Sequence, residues 1–439
     1  MTARRKWPPA LLWIGAGLGL LLLAGVALVS LVPSDEELAR RAEAELERAL
    51  NVKVSVGSIG WRLFPTPAVT IRDVATVQPR PVTIKTLTVY PELLPLLGKR
   101  LKLSHAELDL VLVPQQSLAA FRGGDLGGQP GFSLDALPLG KLAVRQLTWI
   151  SRQGVPLLVD GDIDFDQNWR PRQANVRLPD AKVMTELILQ RQGQDDVWAA
   201  SSKVGGGSAD GEFRLESAAN NMLRLSGKLT PRGVEVSSML EAFNRRPILA
   251  GKATGQTTVV SGGKTLGDLV RSMHSKTVFN MGPTTLLRFD MDKAIRSLGK
   301  DHQGQTRLES LTGQLDTQNT NNGMVMTFTG LKAKSGALSA TGSAKLQNRT
   351  IDAEMSVDLV DGLVGVPLKI TGPLSKVAVS VPPGAIAGAA IGTAVLPGIG
   401  TAIGARIGNA LGNLFGGSPG DSTKPKPLQT PKPPSIQGR

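Results

Sequence analysis

The chain of 439 residues contains no cysteine, which excludes disulfides, thiol catalysis and Cys-ligated metals. Its 50 Lys and Arg outnumber its 36 Asp and Glu, and the resulting charge of +14 suits nucleic acid or an anionic membrane surface. Nucleic acid is the poorer fit, because Tyr90 is the one tyrosine and no basic-aromatic cluster of the kind that stacks bases is present.

At the N-terminus, Arg4, Arg5 and Lys6 precede a segment with no charge until Asp35, and residues 11–32 are almost wholly apolar. That length matches the ~20 residues a helix needs to cross a bilayer core. The run is longer than a signal-peptide core and is not closed by an Ala-x-Ala site. Residues 1–10 therefore read as a cytoplasmic basic end and 11–32 as an uncleaved membrane anchor. Arg4, Arg5 and Lys6 set the topology, with the rest of the chain on the far side of the membrane.

Pro33 ends the anchor, and Ser34 with Glu37 forms a capping box. Residues 34–50 place Leu38, Ala42, Leu46, Ala49 and Leu50 on one helical face. From Val52 the period changes from 3.6 to 2. Val54 and Val56 alternate, then Val69 and Ile71, then Leu108, Leu110 and Leu112 after a turn at Gly98–Arg100. Leu338, Ala340, Ala344 and Leu346 do the same, as do Ile351, Ala353, Met355, Val357 and Leu359, and "VPLKI" adds Leu368 and Ile370. Such alternation predicts antiparallel strands with one dry and one wet face. Residues 115–251 are less regular, and 236–245 and 265–275 read as short helices. The fold expected over 51–381 is one long, mainly β unit, an elongated antiparallel sheet or groove, with a sandwich or barrel as the alternative.

Beyond it, residues 382–417 carry two glycine series with a spacing of four. Gly384, Gly388 and Gly392 precede the break at Leu396-Pro397-Gly398, and Gly400, Gly404, Gly408 and Gly412 follow it. Small residues at this spacing let helix backbones approach closely, so a helical hairpin packing on itself, on a membrane or on another copy is expected. Residues 418–439 are rich in Pro, Lys and Ser and read as disordered.

The sequence offers no catalytic constellation. His105, His274 and His302 stand far apart without metal-ligand spacing. Gly416–Gly420 matches the nucleophile-elbow pattern without its strand and helix. Gly263-Lys264-Thr265 lacks the glycine that a phosphate loop needs at position 258, which is Thr258. Asp164 and Asp166 share a face as any wet strand allows. Neither cofactor nor metal is expected.

In this order the blocks resemble the AsmA family of envelope proteins. The anchor and short helix come first, then "LFPTPAVTIRDV" (residues 63–74), then the two strands around the Leu-rich turn of 82–113. Residues 233–282 and 311–359 follow, and "VPLKITGPLSKVAVSV" closes the series. The chain differs from larger members in its shorter length and in the glycine-spaced segment. The resemblance implies an inner-membrane-anchored periplasmic protein of outer-membrane biogenesis that handles phospholipid along a hydrophobic β-groove. Its partners would be the inner membrane, membrane phospholipid and outer-membrane assembly proteins. On this reading Val54, Val56, Val69, Ile71, Leu108, Leu110, Leu112, Leu338, Ile351, Met355, Val357, Leu368 and Ile370 face the lipid. The alternative is a tethered scaffold for outer-membrane protein assembly whose dry faces are ordinary core.

Overall fold

The computed structural model describes residues 52–380 apart from 63, 93–101, 120–138, 167–170, 194–195, 218–221, 265, 298–299, 321, 337 and 359–365. It also describes the helical residues Ala39, Arg40, Glu43, Ala44 and Glu47. The expected anchor with Arg4, Arg5 and Lys6, the glycine-spaced segment with Gly384 to Gly412, and the C-terminal tail lie outside the described residues.

The protein is mainly β, built as one large sheet. In chain order the strands begin with β1 (Val54–Ser55), β2 (Ser58–Arg62), β3 (Ala68–Thr76), β4 (Thr83–Pro91) and β5 (Leu103–Pro114). Next come β6 (Leu139–Ile150), β7 (Pro156–Phe165), β8 (Pro171–Arg177), β9 (Glu186–Arg191), β10 (Val197–Val204) and β11 (Gly207–Ser217). The series continues through β12 (Leu223–Arg232), β13 (Val234–Glu235), β14 (Leu249–Gly263), β15 (His274–Leu286), β16 (Thr306–Leu308) and β17 (Ser310–Thr320). It ends with β18 (Gly323–Ser335), β19 (Leu338–Gln347), β20 (Thr350–Asp358), β21 (Val366–Pro373) and β22 (Ala378–Ser380). Among the described residues three short α-helices interrupt it, α1 (Val236–Ala242), α2 (Leu266–Arg271) and α3 (Met291–Arg296), and a 3-10 turn follows β5 at Gln115–Ala119.

Each strand pairs with its successor except β1, β12 and β16. β1 and β2 share one side of β3, β12 and β13 one side of β14, and β16 and β17 one side of β15. The twenty-two strands thus occupy nineteen successive positions, about 85 Å of sheet at ~4.8 Å per step. All pairs are antiparallel except β5 with β6, which is parallel. The sequence showed no sign of that pair, because its crossover runs through the irregular stretch after Gln115. The middle third, expected to be less regular, holds eight of the strands, β6 to β13.

The sheet has one dry face and one wet face throughout. Directly opposed residues point to the same side, so the register carries the dry face from strand to strand. Ile71 opposes Leu87, Leu87 opposes Leu108, and Leu108 opposes Val144. The line continues through Ile163, Ala174, Leu189, Ala200, Gly211 and Leu229. Further on it passes Thr257, Thr277, Leu315, Phe328, Ala344, Ala353 and Ile370. The opposite face carries residues such as Asp109, Arg145, Asp162, Glu212, Lys228, Asp316, Lys345 and Asp352.

A row of left-handed residues creases the sheet at its N-terminal end. Asp73 in β3, Leu110 in β5 and Gln146 in β6 have φ of 55°, 53° and 52°. Asp73 and Leu110 both lie opposite Lys85, between the flanking pairs of the β3–β4 and β4–β5 ladders. An αL residue in a strand breaks the two-residue alternation. Two consecutive side chains then point to the wet face, so Leu108 and Val111 are inward while Leu110 is 54% exposed. This corrects the expected series Leu108, Leu110, Leu112. Leu110 and Leu112 leave the dry face, and Val111 and Val113 replace them.

Candidate functional site

Three clusters sit on the dry face. The first gathers Val54, Val56, Ile59, Val69, Ile71, Leu87, Val89, Leu103, Leu108, Val111 and Leu142, with Ala39 of the N-terminal helix packed against them. The second, over β16 to β22 and α3, contains Met291, Ala294, Leu308, Ala340, Val357, Leu368 and Val379. Leu338, Met355 and Ile370 pack at its margin. A small third cluster joins Leu223 to Leu269 of α2, with Leu215 and Leu225 beside it. The sequence-predicted dry residues at the N-terminal end of the sheet, apart from Leu110 and Leu112, therefore sit in one packed core. Those at the far end belong to or border another, and Ile351 is half-buried on the same face.

Between the two large clusters the face changes character. Ala174, Leu187, Leu189, Trp198, Phe213, Leu229, Phe279, Leu315 and Phe328 all lie on the dry side by register and are only half-buried. Among the described residues, β8, β9 and β10 pack extensively only with their neighbours in the sheet. Aromatic side chains cover glycines here. A Cβ on Gly227 would lie 2.2 Å from Phe213 Cδ1, and one on Gly313 would lie 3.2 Å from Phe279 Cζ. Glycine lets the backbone run close beneath each ring.

Side chains at strand ends tie distant parts of the sheet together. The turn after β6 supplies Arg152, whose Nη1 donates to the Thr320 carbonyl at 3.3 Å, and Gln153, whose Oε1 accepts from Arg245 Nη1 at 3.1 Å. Asn244 Nδ2 donates to the Pro156 carbonyl at 3.2 Å. These contacts connect β6–β7 to the end of α1 and to the β17–β18 turn. On the dry side Arg191 is almost fully buried and pairs with Asp166.

The wet face carries its own network. Asp162 Oδ1 accepts from Arg145 Nη2 at 2.7 Å and lies 3.3 Å from Lys141 Nζ, while Arg177 approaches Oδ2 at 3.6 Å. Partial burial pushes the Asp162 carboxyl up, but the bonds from Arg145 and Lys141 outweigh it and hold the group below the usual range. Asp109 is raised, first by burial and then by the neighbouring Glu107. The histidines remain apart. His105 stacks on Tyr90 with centroids 3.8 Å apart, and His274 Nε2 meets Asp316 Oδ1 at 2.8 Å. Asp164 lies opposite Lys141 in the ladder, whereas Asp166 turns to Arg191. No group of acidic and histidine side chains among the described residues has metal-binding geometry. No helix among them is long and apolar enough to cross a membrane.

Compared with known proteins, the chain matches no family model, no curated protein and no solved structure.

The sequence reading chose the ends of the sheet and missed the half-buried middle. "LRLSGKL" and "EFRLES" do alternate, and their period places Leu225, Leu229, Phe213 and Leu215 on one side. In "ELILQR" three apolar residues run together, and only the ladder assigns Leu189 to the dry face and Ile188 to the wet one.

Proposed function

We propose that the chain is an AsmA-like envelope protein that shields phospholipid acyl chains along the dry face of its sheet, contributing to outer-membrane biogenesis without catalysis. One observation carries this reading: the dry face is continuous by register along the sheet, yet between its two large clusters Leu187, Leu189, Trp198, Phe213, Leu229, Phe279, Leu315 and Phe328 are only half-buried, beside the small cluster around Leu223. A 16-carbon chain exposed to water forfeits on the order of 10 kcal/mol at ~0.8 kcal/mol per CH₂. A trough of apolar side chains removes that barrier, while a headgroup rides at its margin without a dedicated binding residue. Large apolar surfaces left uncovered on a folded protein mark a site for something to fill.

The packed clusters at the two ends favour a second reading there, a tethered scaffold whose dry face is core. Asp substitutions in the middle and at the end separate the two. On the lipid reading, Leu189→Asp and Leu315→Asp give folded protein that no longer co-extracts phospholipid and no longer supports the outer-membrane barrier. Val357→Asp, in the packed end, unfolds the protein under either reading. If Leu189→Asp and Leu315→Asp also unfold it, the middle is core and the scaffold reading replaces the lipid path.

A further inference from the structure

The segment between β13 and β14 reaches strands that are not its neighbours. Asn244 Nδ2 donates to the Pro156 carbonyl at 3.2 Å, and Arg245 Nη1 to Gln153 Oε1 at 3.1 Å. Lys182, in the loop between β8 and β9, meets Glu241 Oε2 at 3.1 Å. Pro156 opens β7, and five strands, β8 to β12, stand between β7 and β14 in the sheet. Six steps at ~4.8 Å place β7 and β14 roughly 29 Å apart along it. Contacts at hydrogen-bond distance therefore require the sheet to curl, with α1 and residues 243–248 crossing the opening at one rim.

The dry face lies inside that curl. Leu187, Leu189 and Trp198 are half-buried, although no helix among the described residues packs extensively on β8, β9 or β10. Lys203, Glu212, Arg214 and Lys228, on the opposite side, are exposed. Curvature toward the dry side shelters the first set and fans out the second.

The crossing segment is rooted firmly and clasped weakly. At its root Glu235 Oε1 accepts from Ser237 Oγ at 2.9 Å and from the Gly251 N–H at 2.6 Å, and the Glu235 N–H donates to the Gly205 carbonyl. At its far end α1 closes in a Schellman turn. The Asn244 and Arg245 amides donate to the Glu241 and Leu240 carbonyls, with Asn244 at φ 55°. That turn brings both side chains to the connection after β6. The clasp consists of polar contacts between exposed residues, which add little to stability in water.

We propose that α1 with residues 243–248 is a hinged strap that opens the half-buried middle of the dry face to an acyl chain. It pivots at Glu235 and Gly251 and releases at Gln153, Pro156 and Lys182. The acyl chain as occupant rests on the lipid-shielding reading, whereas the opening of the strap does not.

The full chain has no cysteine, so one introduced thiol reports alone. Leu187→Cys, on the dry face at the start of β9, and Ile188→Cys, on the wet face beside it, are each labelled with a bulky maleimide. Rates are compared with the clasp intact and with Lys182→Ala, Asn244→Ala and Arg245→Ala combined. Release of the strap is expected to speed labelling at 187 several-fold and to leave 188 unchanged. No change at 187, or an equal rise at both positions, overturns the proposal. In a second measurement Gln153→Cys and Arg245→Cys are tethered by a reducible bis-maleimide. Uptake of fluorescent phosphatidylethanolamine from vesicles should slow several-fold when tethered and recover on reduction. Equal uptake in both states overturns the gate. No uptake in either state, with the labelling difference at 187 intact, removes the lipid reading and keeps the strap.

Discussion

The carboxylate of Glu43 accepts a hydrogen bond from the backbone N–H of Val56 at 2.7 Å, and four residues later Glu47 does the same for Val54 at 3.3 Å. Residues four apart on a helix rise ~6 Å, and residues two apart on a strand ~6.6 Å, so the two spacings match. These are the outward amides of the first edge strand, which would otherwise offer a template for another chain. Glu43→Ala with Glu47→Ala is expected to cost about 1–3 kcal/mol, as lost charge-assisted hydrogen bonds do. It should also remove hydrogen-exchange protection at the Val54 and Val56 amides and promote self-association. Unchanged protection at both amides would contradict this role.

The crease predicts a sharp difference between neighbours. Leu110→Asp should fold with a stability within ~0.5 kcal/mol of the parent, because the side chain points into water. Val111→Asp should lose at least ~3 kcal/mol by placing a charge in the packed cluster. Leu110→Asn, a residue tolerant of φ near +53°, should gain up to ~1 kcal/mol. Denaturant midpoints read all three.

The wet-face carboxylates should respond to pH with opposite signs. Asp162 titrates below its unfolded value of ~3.9, so it contributes stability above that pH, and the contribution is lost as pH falls through the folded pKa. Asp109 titrates above its unfolded value, so its penalty is present at neutral pH and relieved by acid. At pH 7, Asp162→Asn should destabilise by roughly 1–2 kcal/mol, and Asp109→Asn should stabilise. Both differences should shrink toward pH 3 in thermal unfolding scans.

Gly227 and Phe213 should behave as one unit. Gly227→Ala pushes a methyl into the Phe213 ring and is expected to cost ~1–3 kcal/mol. In a Phe213→Ala background the same change should cost much less, a coupling that a double-mutant cycle measures. Additive losses would mean that the ring does not rest on the glycine.

The C-terminal face of the sheet was legible in the sequence because nothing interrupts β20. Ile351, Ala353, Met355 and Val357 keep their period, and the ladder with β21 confirms their side. In β5 the period failed at Leu110, where a leucine in αL carries none of the composition that a glycine or asparagine would. Glu43 looked like one charge among many on an amphipathic helix. Its partner lies thirteen residues away on a strand edge, a relationship that needs coordinates. The half-buried middle was hidden because burial against open exposure depends on what lies across the sheet, which alternation does not encode.

The most direct test of the account is photo-crosslinking in cells with a reactive residue placed at Leu189 and, separately, at Ile188. The two neighbours sit on β9 and face opposite sides of the sheet. A shielded lipid path predicts phospholipid covalently attached at Leu189 and little or none at Ile188. Equal labelling at both positions, or no lipid at Leu189 in folded protein, would contradict it.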